Sequence, residues 1–185
     1  KLLEAVTPIS ELEVMQKSVR GQYEGYREEV GNPGSTTETY AVVSVGIAAE
    51  RWRGVPITLR TGKAMAEKRT DVRLTFTPEG NGGELIFRIQ PDAHIAVRAG
   101  GQPPQFIDEL QKLSKEFNAQ HPPAITGHPD AYERVLLDAV RGDHTLFTTS
   151  EEVIAAWKVV TAVVKVWAET SEGLIFYPKG TISVE

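Results

Sequence analysis

Between Tyr40 and Arg98 the chain carries a succession of short segments rich in β-branched and aromatic residues, and most spacers between them are too brief to hold a helical crossover. A parallel connection needs a dozen or more residues, whereas antiparallel neighbours need only a turn. That feature restricts the fold to sheets built mainly from antiparallel pairs. The first strand is YAVVSVGI at 40–47, despite its imperfect alternation. A second is expected at 55–59, with Pro56 near its start, where a missing N–H does least harm to a ladder. VRLTF at 72–76 alternates apolar with polar residues, so its two side-chain sets can face core and solvent. LIFRI follows the turn-rich GNGG, and 95–98 supplies a further short strand after Pro91.

Around these strands the pattern is helical or irregular. SVRGQYEGYREEVGNPGSTTETY, with closely spaced glycines and a proline, reads as a connector entering the sheet. A short helix is expected at 107–117. A clearer one spans 130–140, where Tyr132, Val135, Leu136, Ala139 and Val140 form an apolar stripe ended by Gly142. The last helix is expected to be capped by Ser150, with Glu151 and Glu152 near its positive end. Its apolar stripe runs through Val153, Trp157, Val160, Val164 and Trp167, broadened by Ile154 and Val163. With 185 residues, 41% of them apolar and 24% charged, the chain can bury one ordinary core and is not of disordered composition. The expected class is α+β, a large, mainly antiparallel open sheet with packed helices, in one domain over 1–185.

A formal charge of -5 supplies no basic field, so nucleic acid is not an expected partner. No apolar run approaches the roughly 20 residues of a membrane span, and KLLEAVTPISELEVMQK lacks the basic-then-apolar order of a secretory signal. A membrane is therefore not expected as a partner, and the cytoplasm is the expected location. Without cysteine there are no disulfides, thiolate sites or cysteine nucleophiles. His94, His121, His128 and His144 do not follow zinc spacing, and no metal is expected. Asp143 and His144 are adjacent between two helices, a position that suits a turn or cap better than proton transfer. The chain contains no GxSxG elbow and no GxGxxG fingerprint, and PEGNGG suits a hairpin turn.

The densest chemistry is RTGKAMAEKRTDVR. Lys63, Lys68, Arg69 and Arg73 place long cationic donors between two expected strands, suited to phosphate or carboxylate. Also open is a solvated surface on which Glu67 and Asp71 satisfy those cations. TGKAM is not a Walker loop, since the glycine-rich approach and the Ser or Thr after Lys are missing.

Several separated words then carry a resemblance. VRGQY, GYREE, STTETYAVV, ERWRGVPITLRTGKAM, LIFRIQPD, PDAYERVLLDAVRGDHTLF, EEVIAAW and YPKG occur in an order similar to the C-terminal half of glucose-6-phosphate dehydrogenase, over nearly the whole chain. The resemblance implies an antiparallel-sheet domain joined, in the complete enzyme, to an N-terminal Rossmann coenzyme domain. That domain, the family's RIDHYLGKE segment and its catalytic histidine have no counterpart in this sequence. The chain is accordingly expected to be inactive alone, whether as an expressed fragment or as a natural truncated homologue that binds sugar phosphate or a partner.

By the same resemblance, the complete enzyme passes a hydride from C1 of glucose 6-phosphate to NADP, or sometimes NAD. Lys63 and Lys68 match substrate-side cations, and Gln90 a residue that bonds to, or orients, a sugar hydroxyl; no residue here matches the general base. Arg69, Arg73 and Arg88, with Arg98 beyond them, match basic positions of a second, structural NADP site found in some relatives. Ala96 stands where an aromatic residue helps in those relatives. The competing reading is a set of salt bridges that stabilise a dimer, and a homodimer is the expected assembly.

Overall fold

The computed structural model describes residues 2–77, 82–91, 93–99, 105–120, 131–145 and 147–184. It divides into two compact units, Lys1–Glu67 with Thr145–Glu185, and Lys68–His144. The class is α+β, with strands mainly antiparallel, as expected, and among the described residues they fall into a five-stranded and a three-stranded sheet.

In the first unit two short helices, α1 (Val14–Lys17) and α2 (Tyr26–Glu29), precede the hub strand β3 (Tyr40–Ile47). It pairs antiparallel with β1 (Val6–Thr7), β2 (Ser18–Tyr23) and β4 (Ile57–Gly62). β8 (Leu174–Tyr177) joins the far side of β2 in parallel, with Gly21 opposite Ile175 and Tyr23 opposite Tyr177. β1, β2 and β8 are additions to the expected set, and β4 begins two residues later and runs three further than expected. β2 lies in a stretch whose glycines and polar residues suggested a connector. Its Arg20 and Gln22 are each 1% exposed, and they can be buried because every strong donor direction but one is met. Arg20 donates to Glu38 at 2.8 Å, to the Trp167 carbonyl at 2.7 Å, to the Glu172 carbonyl at 2.8 Å and to the Thr170 carbonyl, leaving only Nε without a partner. Gln22 donates to the Ser35 and Thr37 carbonyls and accepts from Arg27. Gly21 leaves room for the incoming strand, since a Cβ there would lie 3.1 Å from the Tyr177 ring.

Helix α5 (Ser150–Glu169) covers this sheet through Val159, Val163 and Trp167, which pack with Ile9, Val14, Val43 and Val45. The expected stripe is therefore displaced round the helix. Trp157 is 61% exposed, and Ile154, Val153 and Val164 are also exposed. Apolar residues occupy two adjacent stripes, and packing against β3 selects the one spaced by four, Val159–Val163–Trp167, over the one through Trp157. The cap also differs from expectation. Thr149, not Ser150, is the N-cap, because only it stands three residues before Glu152; its hydroxyl accepts the Glu152 N–H, and the Glu152 carboxylate accepts the Thr149 N–H.

The second unit pairs β5 (Thr70–Thr75), β6 (Gly83–Gln90) and β7 (His94–Ala99) in sequence order, all antiparallel. The tip of the expected PEGNGG turn lies outside the described residues, as do His121 and His128. Helix α3 (Gln105–Gln120) grips β7 at one residue, Ile95. Asn118 accepts the Ile95 N–H at 2.9 Å and donates to the Ile95 carbonyl at 2.8 Å. Helix α4 (Ala131–Arg141) ends at Gly142, whose φ of 69° suits glycine. Its expected stripe is uncovered where described: Leu136 is 66% and Val140 86% exposed. Asp143 follows at the helix end, its N–H donating to the Asp138 carbonyl at 2.9 Å.

Candidate functional site

Lys63 leaves the end of β4 in a turn held on both sides by backbone. Gly62 must precede it, because a Cβ there would lie 2.7 Å from the Tyr40 ring and 2.9 Å from Met65 Sδ. The Lys63 N–H donates to the Thr39 carbonyl at 2.8 Å, and its carbonyl accepts from the Tyr177 hydroxyl at 2.9 Å. Ala64 takes a φ of 53°, a left-handed conformation that costs a residue with a Cβ about 1–2 kcal/mol. The segment after β8 holds it there. The Gly180 N–H donates to the Ala64 carbonyl at 2.8 Å, the Ala66 N–H to the Thr181 carbonyl at 3.0 Å, and Met65 bridges Thr181. The Lys63 side chain is exposed, and its ammonium has no ion-pair partner among the described residues.

The tie comes from an aromatic cluster. Tyr23, Tyr40 and Tyr177 are buried, with Tyr177 edge-on to both of the others at 6.3 and 5.9 Å between ring centres. Burial pushes the Tyr177 phenol up from its ordinary value, and the Tyr23 phenol likewise. Both hydroxyls therefore stay protonated through neutral pH and well above it.

In the second unit the strand register gathers the arginines. Asp71 stands opposite Arg88, Arg73 opposite Ile86, and Glu84 opposite Arg98. Residues directly opposite share a face, and alternate residues return to it, so Asp71, Arg73, Arg88 and Arg98 lie on one side of the sheet, with Ala96 among them. Asp71 Oδ2 is 3.3 Å from Arg73, 3.6 Å from Arg88 and 3.8 Å from Arg69. Burial works to raise the Asp71 carboxyl, but the hydrogen bond from Arg73 and the charges of Arg73, Arg69 and Arg88 outweigh it and hold the group below the usual carboxylate range. Arg98 pairs separately with Glu84 at 3.3 Å.

Of the expected site residues, the structure thus brings together Arg69, Arg73 and Arg88, while Arg98 shares their face in an ion pair of its own. Gln90 ends β6 with its side chain exposed, and exposed Lys68 immediately precedes Arg69. Lys63 belongs to the other unit. The reading in which Asp71 satisfies the cations is realised in its geometry, yet three guanidiniums face one carboxylate. Arg69 and Arg73 are more than a third exposed, and Arg88 Nε is buried without a partner. That donor set fits a phosphate group offered from solvent. Tyr177 and Thr39, which hold the Lys63 turn, lie in the words YPKG and STTETYAVV but carry no charge that would mark them as partners of Lys63. Among the described residues no three histidines or carboxylates converge as metal ligands, and no helix is long and apolar enough to cross a membrane. A shallow concavity of about 490 Å³ between Thr7–Ile9 and Trp52–Ile57 includes none of the candidate residues.

Comparison with known proteins bears on the same residues. The model of the glucose-6-phosphate dehydrogenase C-terminal domain matches residues 1–184. The glucose-6-phosphate 1-dehydrogenase of Mycolicibacterium smegmatis is 36% identical over 203 residues, which take in 98% of this chain and 41% of that protein. Glucose-6-phosphate 1-dehydrogenase 5, cytoplasmic, of Arabidopsis thaliana is 35% identical over 87% of this chain and 32% of its own. Among solved structures, glucose-6-phosphate 1-dehydrogenase from Mycobacterium avium superposes with a TM-score of 0.70 at 27% identity, covering 100% of this chain and 39% of that one. A glucose-6-phosphate dehydrogenase in complex with its substrate glucose-6-phosphate gives 0.72 at 27% identity, over 100% and 41%. The chain spans about two-fifths of the length of these relatives or less.

Proposed function

Because the chain belongs to the glucose-6-phosphate dehydrogenase C-terminal domain family, we propose that it is the substrate-binding and oligomerisation part of a cytoplasmic dehydrogenase that oxidises glucose 6-phosphate to 6-phosphogluconolactone with NADP. The observation that carries this reading is Lys63, an ammonium without an ion-pair partner on a backbone turn held from both sides. Such a charge can meet a phosphate without first breaking another contact.

The hydride acceptor would be supplied by NADP in a coenzyme domain outside this chain. The residues present here bind and orient. Lys63 and Lys68 neutralise the sugar phosphate, and Gln90 donates to or accepts from a sugar hydroxyl. Arg69, Arg73 and Arg88 would hold the phosphate of a second, structural NADP, with Arg98 at the edge of the same face. Two such polypeptides form the working homodimer.

The test is the kinetics of the complete polypeptide with Lys63→Met and Lys68→Met. Each variant keeps a long apolar stem and loses the charge, so KM for glucose 6-phosphate is expected to rise, together with loss of kcat/KM, while the fold survives. Unchanged kinetics in both overturns the substrate reading. Calorimetric titration with NADP, with and without Arg73→Met, tests the second site separately, and light scattering across concentration tests the dimer.

A further inference from the structure

We propose that Tyr177 is a positioning residue for Lys63, its hydroxyl fixing the turn from which the ammonium reaches the sugar phosphate; this rests on the reading of Lys63 as substrate-binding. The direction of each hydrogen bond follows from counting donors. The Tyr23 N–H can only donate, and it does so to Thr39 Oγ1 at 2.9 Å. Thr39 then has its own hydroxyl proton to offer, and Tyr177 Oη lies 2.8 Å away. The Tyr177 proton is left with two carbonyls. That of Thr39, at 3.2 Å, already accepts the Lys63 N–H, whereas that of Lys63 is nearer, at 2.9 Å. A chain of donors therefore runs from the β2 backbone through Thr39 and Tyr177 to the Lys63 carbonyl.

Its end point falls where the backbone most needs holding. Ala64, immediately after that carbonyl, is among the described residues the non-glycine residue with a positive φ, a conformation that persists only where its surroundings impose it. The tie also spans 114 positions in sequence, so it anchors the turn to β8 rather than to its own strand. Packing alone does not call for the hydroxyl. Tyr177 is 2% exposed, among aromatic rings that a phenylalanine would meet equally well. What phenylalanine lacks is the proton for Lys63.

Tyr177→Phe in the complete polypeptide isolates that proton. With a hydrogen bond of ordinary net strength lost from the turn, KM for glucose 6-phosphate is expected to rise about 5-fold, with kcat within about a factor of two, the pattern of weakened uniform binding. Combined with Lys63→Met, the same change is expected to add no further rise, because the group it positions is gone. Gly62→Ala, which crowds the same turn from the Tyr40 side without touching the hydroxyl, should give the same split and the same masking. An unchanged KM in Tyr177→Phe beside a raised one in Lys63→Met overturns the role of Tyr177 alone. A rise that persists undiminished in the Lys63→Met background, or a Tyr177→Phe protein that no longer folds, overturns it as well by assigning the hydroxyl to the fold. An unchanged KM in Lys63→Met instead removes the substrate reading beneath it.

Discussion

The two units hold their cations in opposite ways. In the first, Lys63 is fixed through its backbone by groups without charge, and its ammonium is left unpaired. In the second, Arg69, Arg73 and Arg88 are fixed through their side chains, around Asp71. The first arrangement would meet an anion with its charge intact, while the second would have to share its donors between the anion and its own carboxylate. Positional order in the first unit thus survives changes of salt and acidity that loosen the second.

The comparison is broken most forcefully at Arg20, which among the described residues is the deeply buried cation of the first unit, held by charge as well as by carbonyls. Arg20→Met removes the donor to Glu38 and to three carbonyls at the end of α5. A loss of about 3–5 kcal/mol is expected, read by denaturant unfolding of the first unit; a loss within 1 kcal/mol would show that water replaces these contacts cheaply.

Asp71→Asn probes the second unit. With three guanidiniums left facing one another, partly screened by solvent, the expected loss is about 1–3 kcal/mol. The sign of its pH dependence follows from the lowered Asp71 carboxyl. Its stabilisation is present above the ordinary carboxylate range and is lost as pH falls through the lowered native value. The gap between the parent and Asp71→Asn should therefore close in strong acid, as hydrogen exchange on β5 and β6 would reveal. A gap independent of pH would contradict the assignment.

Smaller effects sharpen the picture of the first unit. Thr149→Ala opens the capping box of α5 and is expected to cost about 1 kcal/mol, whereas Ser150→Ala should cost little; thermal unfolding of the pair separates them. Ala64→Gly relieves the left-handed backbone but loosens the unfolded chain, for a net gain of about 0.5 kcal/mol. A net loss would mean that the turn tolerates the methyl group without strain.

How far the sequence discloses these arrangements depends on whether the forces act locally. β3 is legible at both ends because valines and a tyrosine state its preference within eight residues. β2 is hidden, since its central Arg20, Gly21 and Gln22 show their purpose only against carbonyls and rings supplied from elsewhere. The direction in which α5 turns is hidden for a related reason. It has two apolar stripes, and the choice lies with Val43 and Val45. At the site, the cations announce themselves by type and density. The pairing of the uncharged residues that fix Lys63, Thr39 and Tyr177, is hidden even though each lies in a word of the resemblance, because it joins them across 138 positions.

The parallel pairing of β8 with β2 also sets an order of events during synthesis. A ribosome delivers β2, β3 and β4 early, then all of Lys68–His144, and only afterwards α5 and β8. The antiparallel strands of the second unit can close on their neighbours as they emerge, while Val43 and Val45 await their cover. Tyr177 arrives after every residue of the turn that it ties. A nascent chain that has not yet delivered β8 would therefore carry Lys63 on a turn tied from the Thr39 side alone, and its ammonium would be fixed in place only once β8 had emerged.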